Sequence, residues 1–381
     1  MTHLKHFVSL IAGIRDIKKP KLTLGLDGNT NQIVVSGIIT DSEDSGIEED
    51  ESEYNPGGRK RVLMLAKVDG VPENYHNVKI ILDSLDLPSL SKDFQIVCDL
   101  KMINIILGIQ SCSSRFGCPF CEGFKVNEKG NPTNKRGKWV KGKNRTMNNL
   151  TANLNDYKTK GFGNRKNLKN FKNVEFEPMQ LKVDVGDEWV AKTFPPEPLH
   201  TNLLGPVNDA LDKLKEHYVE EMELFYRNHC LNKTGEGPGG KFNGPSIKLV
   251  LNNLNNLEDI LPNEGFPFIE YLQSIREVHH MCIAEVFVDN SEILIEEFKC
   301  KFDKLYKDFK LPMTLKVHVI VHHYSDYFKE TKTNFRKTND EHHEAIHHTI
   351  KVFETKKKLL YEKAFRKPHP PGKMPPVNLH F

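Results

Sequence analysis

Two cysteines separated by two residues, Cys118-Pro-Phe-Cys121, restrict the fold of this chain more than any other feature. They are the only close pair among seven cysteines, and an odd, scattered set does not make a disulfide framework. The pattern fits a reducing compartment with one metal clip, because thiolates at this spacing can share a tetrahedral zinc. Zinc needs two further ligands, and the richest source is the far-downstream run His318-Val-Ile-Val-His322-His323. His318 and His322 stand one α-helical turn apart and would face the same way, so helical geometry alone favours that pair. Closure of the clip would tie the two distant segments together.

The N-terminal third reads as α/β. Residues 21–40 form two alternating runs joined by a Gly/Asn turn, and residues 61–68 form a third strand. Residues 74–85 suit a helix with Val78, Ile81 and Leu82 on one face; residues 93–99 suit a buried strand, followed by a helix from Leu100 to Gln110. Asp27 ends the first strand and Asp99 ends the last. An acid closing a buried strand projects into the cleft at the sheet edge. Two of them on adjacent strands offer hard oxygens to a divalent cation. The plainer alternative is that each acid opens a turn, Asp-Gly being a strong turn signal.

Beyond Cys121 the character changes. Residues 122–195 are polar and basic, and residues 198–310 carry several helical periodicities, notably over 209–228, 267–287 and 291–309. Two more helices are expected over 312–330 and 338–361, the second opened by a Thr338/Glu341 capping box, before a Pro-rich tail at 366–381. The net charge of +3 conceals segregation: residues 41–53 hold eight acids and no base, whereas residues 125–172 hold fourteen Lys or Arg against two acids. The acidic run reads as a disordered loop. The basic run reads as a polyanion footprint, with Lys135, Arg136, Lys138, Lys141, Lys143 and Arg145 as phosphate contacts and Trp139, Tyr157 and Phe162 interleaved; a merely solvated loop is the alternative. No apolar run reaches membrane-spanning length, and Phe7–Ile14 is too short and lacks a cleavage site, so a soluble intracellular protein without a membrane partner is expected.

Two motifs compete. His343-Glu344-Ala345-Ile346-His347 matches the H-E-x-x-H of zinc proteases, but in so His-rich a segment a chance match is easy, and a protease leaves Asp27, Asp99 and the cysteine pair unexplained. Residues 235–241 (GEGPGGK) begin like a phosphate-binding loop, yet Phe242 stands where a hydroxyl is needed and no strand precedes it.

Taken in order, these pieces resemble the catalytic core shared by Transib transposases and the catalytic subunit of the V(D)J recombinase. LGLDGN, with Asp27, is similar to the segment of the first catalytic Asp, and IVCDLKMINIILGIQ, with Asp99, to that of the second. Cys118 and Cys121 follow Asp99 as the family's C-x-x-C does. PEPLHTNLLGPVNDAL resembles the family's Leu-His segment and puts His200 near the active site; GGKFNGPSIKLVL resembles its Asn-Gly segment. HVIVHHYSDYF resembles the second half of its zinc site, and NDEHHEAIHHTIKVF the helix of its catalytic Glu. The resemblance covers about residues 20–360 and pairs His318 with His323, which works if His318 lies just before the helix; it selects Glu344 as the third acid.

The resemblance implies an RNase H-like mixed sheet over residues 20–117, interrupted by a basic and helical insertion over 118–315. Helices over 316–362 would close the zinc site and carry Glu344, ahead of a tail from 363. It implies two Mg²⁺ or Mn²⁺ ions on Asp27, Asp99 and Glu344 cutting and joining DNA strands, with a structural Zn²⁺ on Cys118, Cys121, His318 and His323. Transposon ends and target DNA would be the partners, in a homodimer or with a second subunit, in the nucleus. The family's N-terminal DNA-binding module has no counterpart before the first strand, so either a truncated copy or a fragment of a longer chain is expected. The competing class is a transposon-derived protein that binds DNA without cutting it.

Overall fold

The structure is a computed structural model. It describes residues 4–333 apart from 15, 29, 42–61, 88–93, 110, 128, 134–136, 161–177, 180–187, 197–198, 234–240 and 285–289, together with 335, 355 and 356. A helix not anticipated from the sequence, α1 (Leu4–Ile14), precedes the sheet and buries Leu4, Val8 and Ala12 against it. The strands are β1 (Pro20–Gly28), β2 (Gln32–Asp41), β3 (Val62–Asp69) and, after helix α2 (Tyr75–Leu85), β4 (Phe94–Cys98). Their order is β3-β2-β1-β4, with the first three antiparallel and β4 parallel to β1. β1 is interior and buries Leu22 to Leu26 without a break, as a strand covered on both faces must. In α2 the side chain of Asn74 accepts from the Asn77 N–H, and Val78, Ile81 and Leu82 form the buried stripe that the periodicity predicts.

The parallel pairing is the feature that positions chemistry. Its register runs from Leu22 opposite Phe94 to Leu26 opposite Cys98, so the next position on each strand is Asp27 and Asp99. Asp99 leaves the strand and caps α3 (Leu100–Ile106), its Oδ1 accepting from the Met102 N–H at 2.7 Å.

After α3 come a small antiparallel hairpin, β5 (Phe124–Val126) and β6 (Lys138–Val140), and helix α4 (Met147–Lys160). The remainder is helical: α5 (Val190–Thr193), α6 (Leu199–His217), α7 (Val219–Asn228), α8 (Gly244–Asn252), α9 (Leu254–Glu258), α10 (Phe266–Ile283), α11 (Ser291–Phe309), α12 (Leu315–Val319) and α13 (Ser325–Thr331). The periodic stretch over 209–228 is two helices, because Tyr218 leaves helical geometry (φ −132°, ψ 66°) and Glu220 and Glu221 start a new first turn. Asn243 caps α8, and the Asn208 amide pairs in both directions with the Phe242 backbone, tying α8 to α6. The molecule is thus mixed α/β. One continuous buried cluster runs from the sheet through Cys118 and Cys121 into α6, α10, α11 and α12, crossing the boundary expected at residue 118. Among the described residues no helix is long and apolar enough to cross a membrane.

Candidate metal centre and acidic cluster

Cys118, Cys121, His318 and His323 converge, fully buried, with ligand atoms all within 4.8 Å of one another. The Sγ atoms are 3.7 Å apart; Cys118 Sγ lies 3.4 Å from His323 Nε2, and Cys121 Sγ lies 3.4 Å from His318 Nε2. The two Nε2 atoms are 3.3 Å apart. A zinc tetrahedron, with bonds of about 2.3 Å to sulfur and about 2.05 Å to nitrogen, has edges of about 3.8 Å (S–S), about 3.6 Å (S–N) and about 3.3 Å (N–N). The observed edges fall within about 0.2 Å of these, so the cluster could hold one zinc.

The choice between His322 and His323 is settled by backbone form. Residues Ile320–Tyr324 make a π-helical turn between α12 and α13. Its wider turn brings positions five apart onto one face, where an α-helix would bring positions four apart. His323 therefore points with His318 into the cluster. His322 stays half-buried with its ring 4.9 Å from that of His318, and burial pushes its pKa down to about 3. His318 is likewise held down by burial, which keeps it neutral, as metal ligation requires. The Cys121 thiol is pushed down by hydrogen bonding from Cys118 and then from the two histidines, whereas burial pushes the Cys118 thiol up.

The cysteine turn is built around Arg145. Its Nε donates to the carbonyls of Cys118 (2.9 Å) and Cys121 (3.0 Å), and its Nη2 donates to that of Phe116 (3.1 Å). The Gly123 N–H donates to Cys121 Sγ at 3.2 Å; a Cβ on Gly123 would come within 2.4 Å of the Val140 carbonyl. Trp139 lies 5.2 Å from the His318 ring, and Phe120 and Trp189 lie 5.5 and 6.1 Å from that of His323. This wall dries the site.

Those contacts correct the reading of the basic run. Arg145 is 0% exposed and spent on the knuckle carbonyls, and Trp139 is core, so neither can meet a phosphate. Lys138 pairs with Asp303 of α11 at 2.8 Å and Lys141 pairs with Asp326 of α13, fastening the hairpin to the helices. Lys143 is exposed. Lys135, Arg136 and Phe162 lie outside the described residues, as does the side chain of Tyr157.

Asp27 and Asp99 are both exposed at adjoining strand ends. Beside them stands Glu73, which sequence reasoning missed. Its side chain is 3% exposed, pairs with Lys101 of α3, and packs so closely that a Cβ on Gly28 would lie 3.0 Å from its Cβ and Cγ. Burial raises the Glu73 pKa first, Lys101 opposes this, and the charges of Asp99 and Asp27 raise it further. Nothing in Val71-Pro72-Glu73 signals this, since the approach depends on the loop after β3 reaching the end of β1. His200 falls in the first turn of α6 with its side chain outside the described residues; Glu344, with the whole H-E-x-x-H segment, also lies outside them.

Residues 58–161 match a family model described as a domain of unknown function (DUF8703). The match contains Glu73, Asp99 and both cysteines, and stops short of Asp27 and the histidines. No curated protein matches the chain.

Proposed function

We propose that the chain is the catalytic core of a DDE transposase or recombinase, an RNase H-like domain that cuts and rejoins DNA strands and carries a structural zinc. The observation that carries this reading is the parallel β1/β4 register, which brings Asp27 and Asp99 to neighbouring strand ends with Glu73 alongside. The hard carboxylates of Asp27 and Asp99 suit Mg²⁺ or Mn²⁺, which when bound would activate the attacking oxygen and stabilise the leaving one. Asp99 is held in one orientation by the first turn of α3. Lys101 limits the repulsion among the acids by pairing with Glu73. Glu344 is the further acid that the family resemblance brings to this site. The zinc would lock α12 to the cysteine turn and so fix the helices that lead on to Glu344. DNA is the substrate on this reading, acted on in the nucleus by a homodimer or with a second subunit.

The test is conversion of supercoiled plasmid to open circle by purified protein with Mg²⁺ or Mn²⁺, alongside metal analysis. Divalent-dependent nicking and about one zinc per chain are expected. Tight DNA binding with no nicking would replace this reading by the non-cutting binder. Absence of both would remove the two together.

A further inference from the structure

We propose that Arg115 binds a backbone phosphate of the nucleic-acid strand, with the hydroxyls of Ser111 and Ser113 as its neighbours. The proposal rests on the strand-cutting reading above and adds to it a contact away from the acids. Arg115 sits in the turn between α3 and the cysteine pair, and that turn is held from several sides. The Ser114 N–H donates to the Ser111 carbonyl at 2.9 Å, and a Cβ on Gly117 would come within 2.5 Å of the same carbonyl. The Asn104 amide of α3 donates to the Gly117 carbonyl at 3.0 Å. From β5, the Lys125 N–H donates to the Arg115 carbonyl at 3.2 Å and its ammonium to the Ser113 carbonyl at 2.8 Å. Backbone and neighbouring cation are thus both engaged in fixing the turn, and the Arg115 side chain takes no part in it. Among the described residues its half-buried guanidinium forms no ion pair, and its Nε is buried without an acceptor.

The contrast with Arg145 gives this its meaning. That guanidinium is fully buried and serves three carbonyls, as a structural arginine does. A buried donor left unserved costs free energy, and an anion that fits the planar fork of the guanidinium offsets that cost. The local sequence supplies no such group: between Leu100 and Cys121 there is no Asp or Glu. Ser111 Oγ and Ser113 Oγ are exposed and 2.7 Å apart, so one donates to the other and the second hydrogen is left to point outward. The side chains of the turn therefore present donors and no carboxylate. Asp99 caps the start of α3, and the turn is tied to the later part of that helix, whose seven residues span on the order of 10 Å. This is about three nucleotides of duplex at about 3.4 Å each, so a strand lying at the acids can reach the turn.

Full-length wild type, Arg115→Gln and Arg115→Lys are compared on one short fluorescent duplex at several salt concentrations without added Mg²⁺ or Mn²⁺, and on supercoiled plasmid with Mn²⁺. Arg115→Gln should keep its zinc, keep or raise its Tm, and lower the slope of log affinity against log salt by about 0.9, the loss of one phosphate contact. Its nicking should slow at subsaturating plasmid and recover at saturation, because the contact lies away from the reacting atoms. Arg115→Lys should restore the slope. An Arg115→Gln protein with wild-type slope and wild-type nicking overturns the phosphate contact and leaves the strand-cutting reading standing; if it also changes from dimer to monomer, the guanidinium belongs to a subunit interface. A wild-type protein that binds but never nicks removes the strand-cutting reading, and the slope still decides the contact. A wild-type protein that does neither removes both. Should Arg115→Gln not fold, Ser111→Asp decides: the position is exposed, and a carboxylate there still accepts from the Ser113 N–H while repelling a phosphate at the turn. Weakened affinity with a flattened slope supports the contact, and an unchanged slope overturns it.

Discussion

Replacing Arg145 by methionine tests the cysteine turn most directly. Methionine can fill the space of the stem but returns no donor to the carbonyls of Phe116, Cys118 and Cys121, which the guanidinium serves at 2.9–3.1 Å. A hydrogen bond from a charged donor contributes roughly 1.5–3 kcal/mol and a neutral one about 1 kcal/mol. The buried guanidinium carries a desolvation cost that methionine does not, so three such bonds are placed near the lower values, a loss of about 3–5 kcal/mol. At about 2 °C per kcal/mol for a large chain, the Tm falls by roughly 5–10 °C. If the metal site bears the whole loss, zinc affinity falls by about a hundredfold to a few thousandfold, a tenfold change being about 1.4 kcal/mol. Thermal denaturation gives the first quantity and competition with a chromogenic zinc chelator gives the second. Arg145→Lys should fall between, because a point charge cannot reach three carbonyls together. An Arg145→Met protein with wild-type Tm and zinc affinity but weakened DNA binding would refute the reasoning and return the residue to the nucleic-acid surface.

Asp99→Asn should keep its Tm within about 2 °C, since asparagine caps a helix as well as aspartate does, while divalent-dependent nicking is lost; a large fall in Tm would make the residue structural. Glu73→Gln should leave the Tm at pH 7 unchanged or raised. Its carboxyl pKa is higher in the fold than unfolded, so its contribution to stability declines as pH rises from about 4.5 through the folded value, and the glutamine variant should lack that decline. A drop of many degrees in Glu73→Gln would show instead that the Lys101 pair is a structural necessity. Lys141→Glu should destabilise modestly, by about 0.2–1 kcal/mol for the lost pair plus repulsion from Asp326, and leave the salt dependence of DNA binding nearly as it was; a slope lowered by about one would restore it as a phosphate contact.

What could be read from the sequence was whatever depends on local pattern. The alternation around Asp27 and the spacing of Val78, Ile81 and Leu82 sufficed for the first two strands and for α2, whereas α1 went unread. The cysteine pair announced the metal cluster because its chemistry is carried by spacing. The partner histidine was ambiguous from helical geometry, since a π turn differs from an α turn by one residue and leaves no mark in composition; the family resemblance supplied His323 instead. Arg145 and Trp139 looked like surface contacts because a basic run is averaged over its members, whereas burial is decided one side chain at a time by what packs on it. Glu73 was illegible for a related reason: its meaning lies in Gly28 and Lys101, neither of them a sequence neighbour.

The histidine at 318 lies 197 residues beyond Cys121. During synthesis at roughly 5–20 residues per second, the cysteine turn therefore leaves the ribosome about 10–40 s before its partners exist. Through that interval two thiols wait without their histidines, open to oxidation or to capture by a softer ion such as Cu(I). Expression yield should respond to the metal and redox supply of the host cell during translation, and zinc added after purification should not rescue chains whose thiols were lost in that interval.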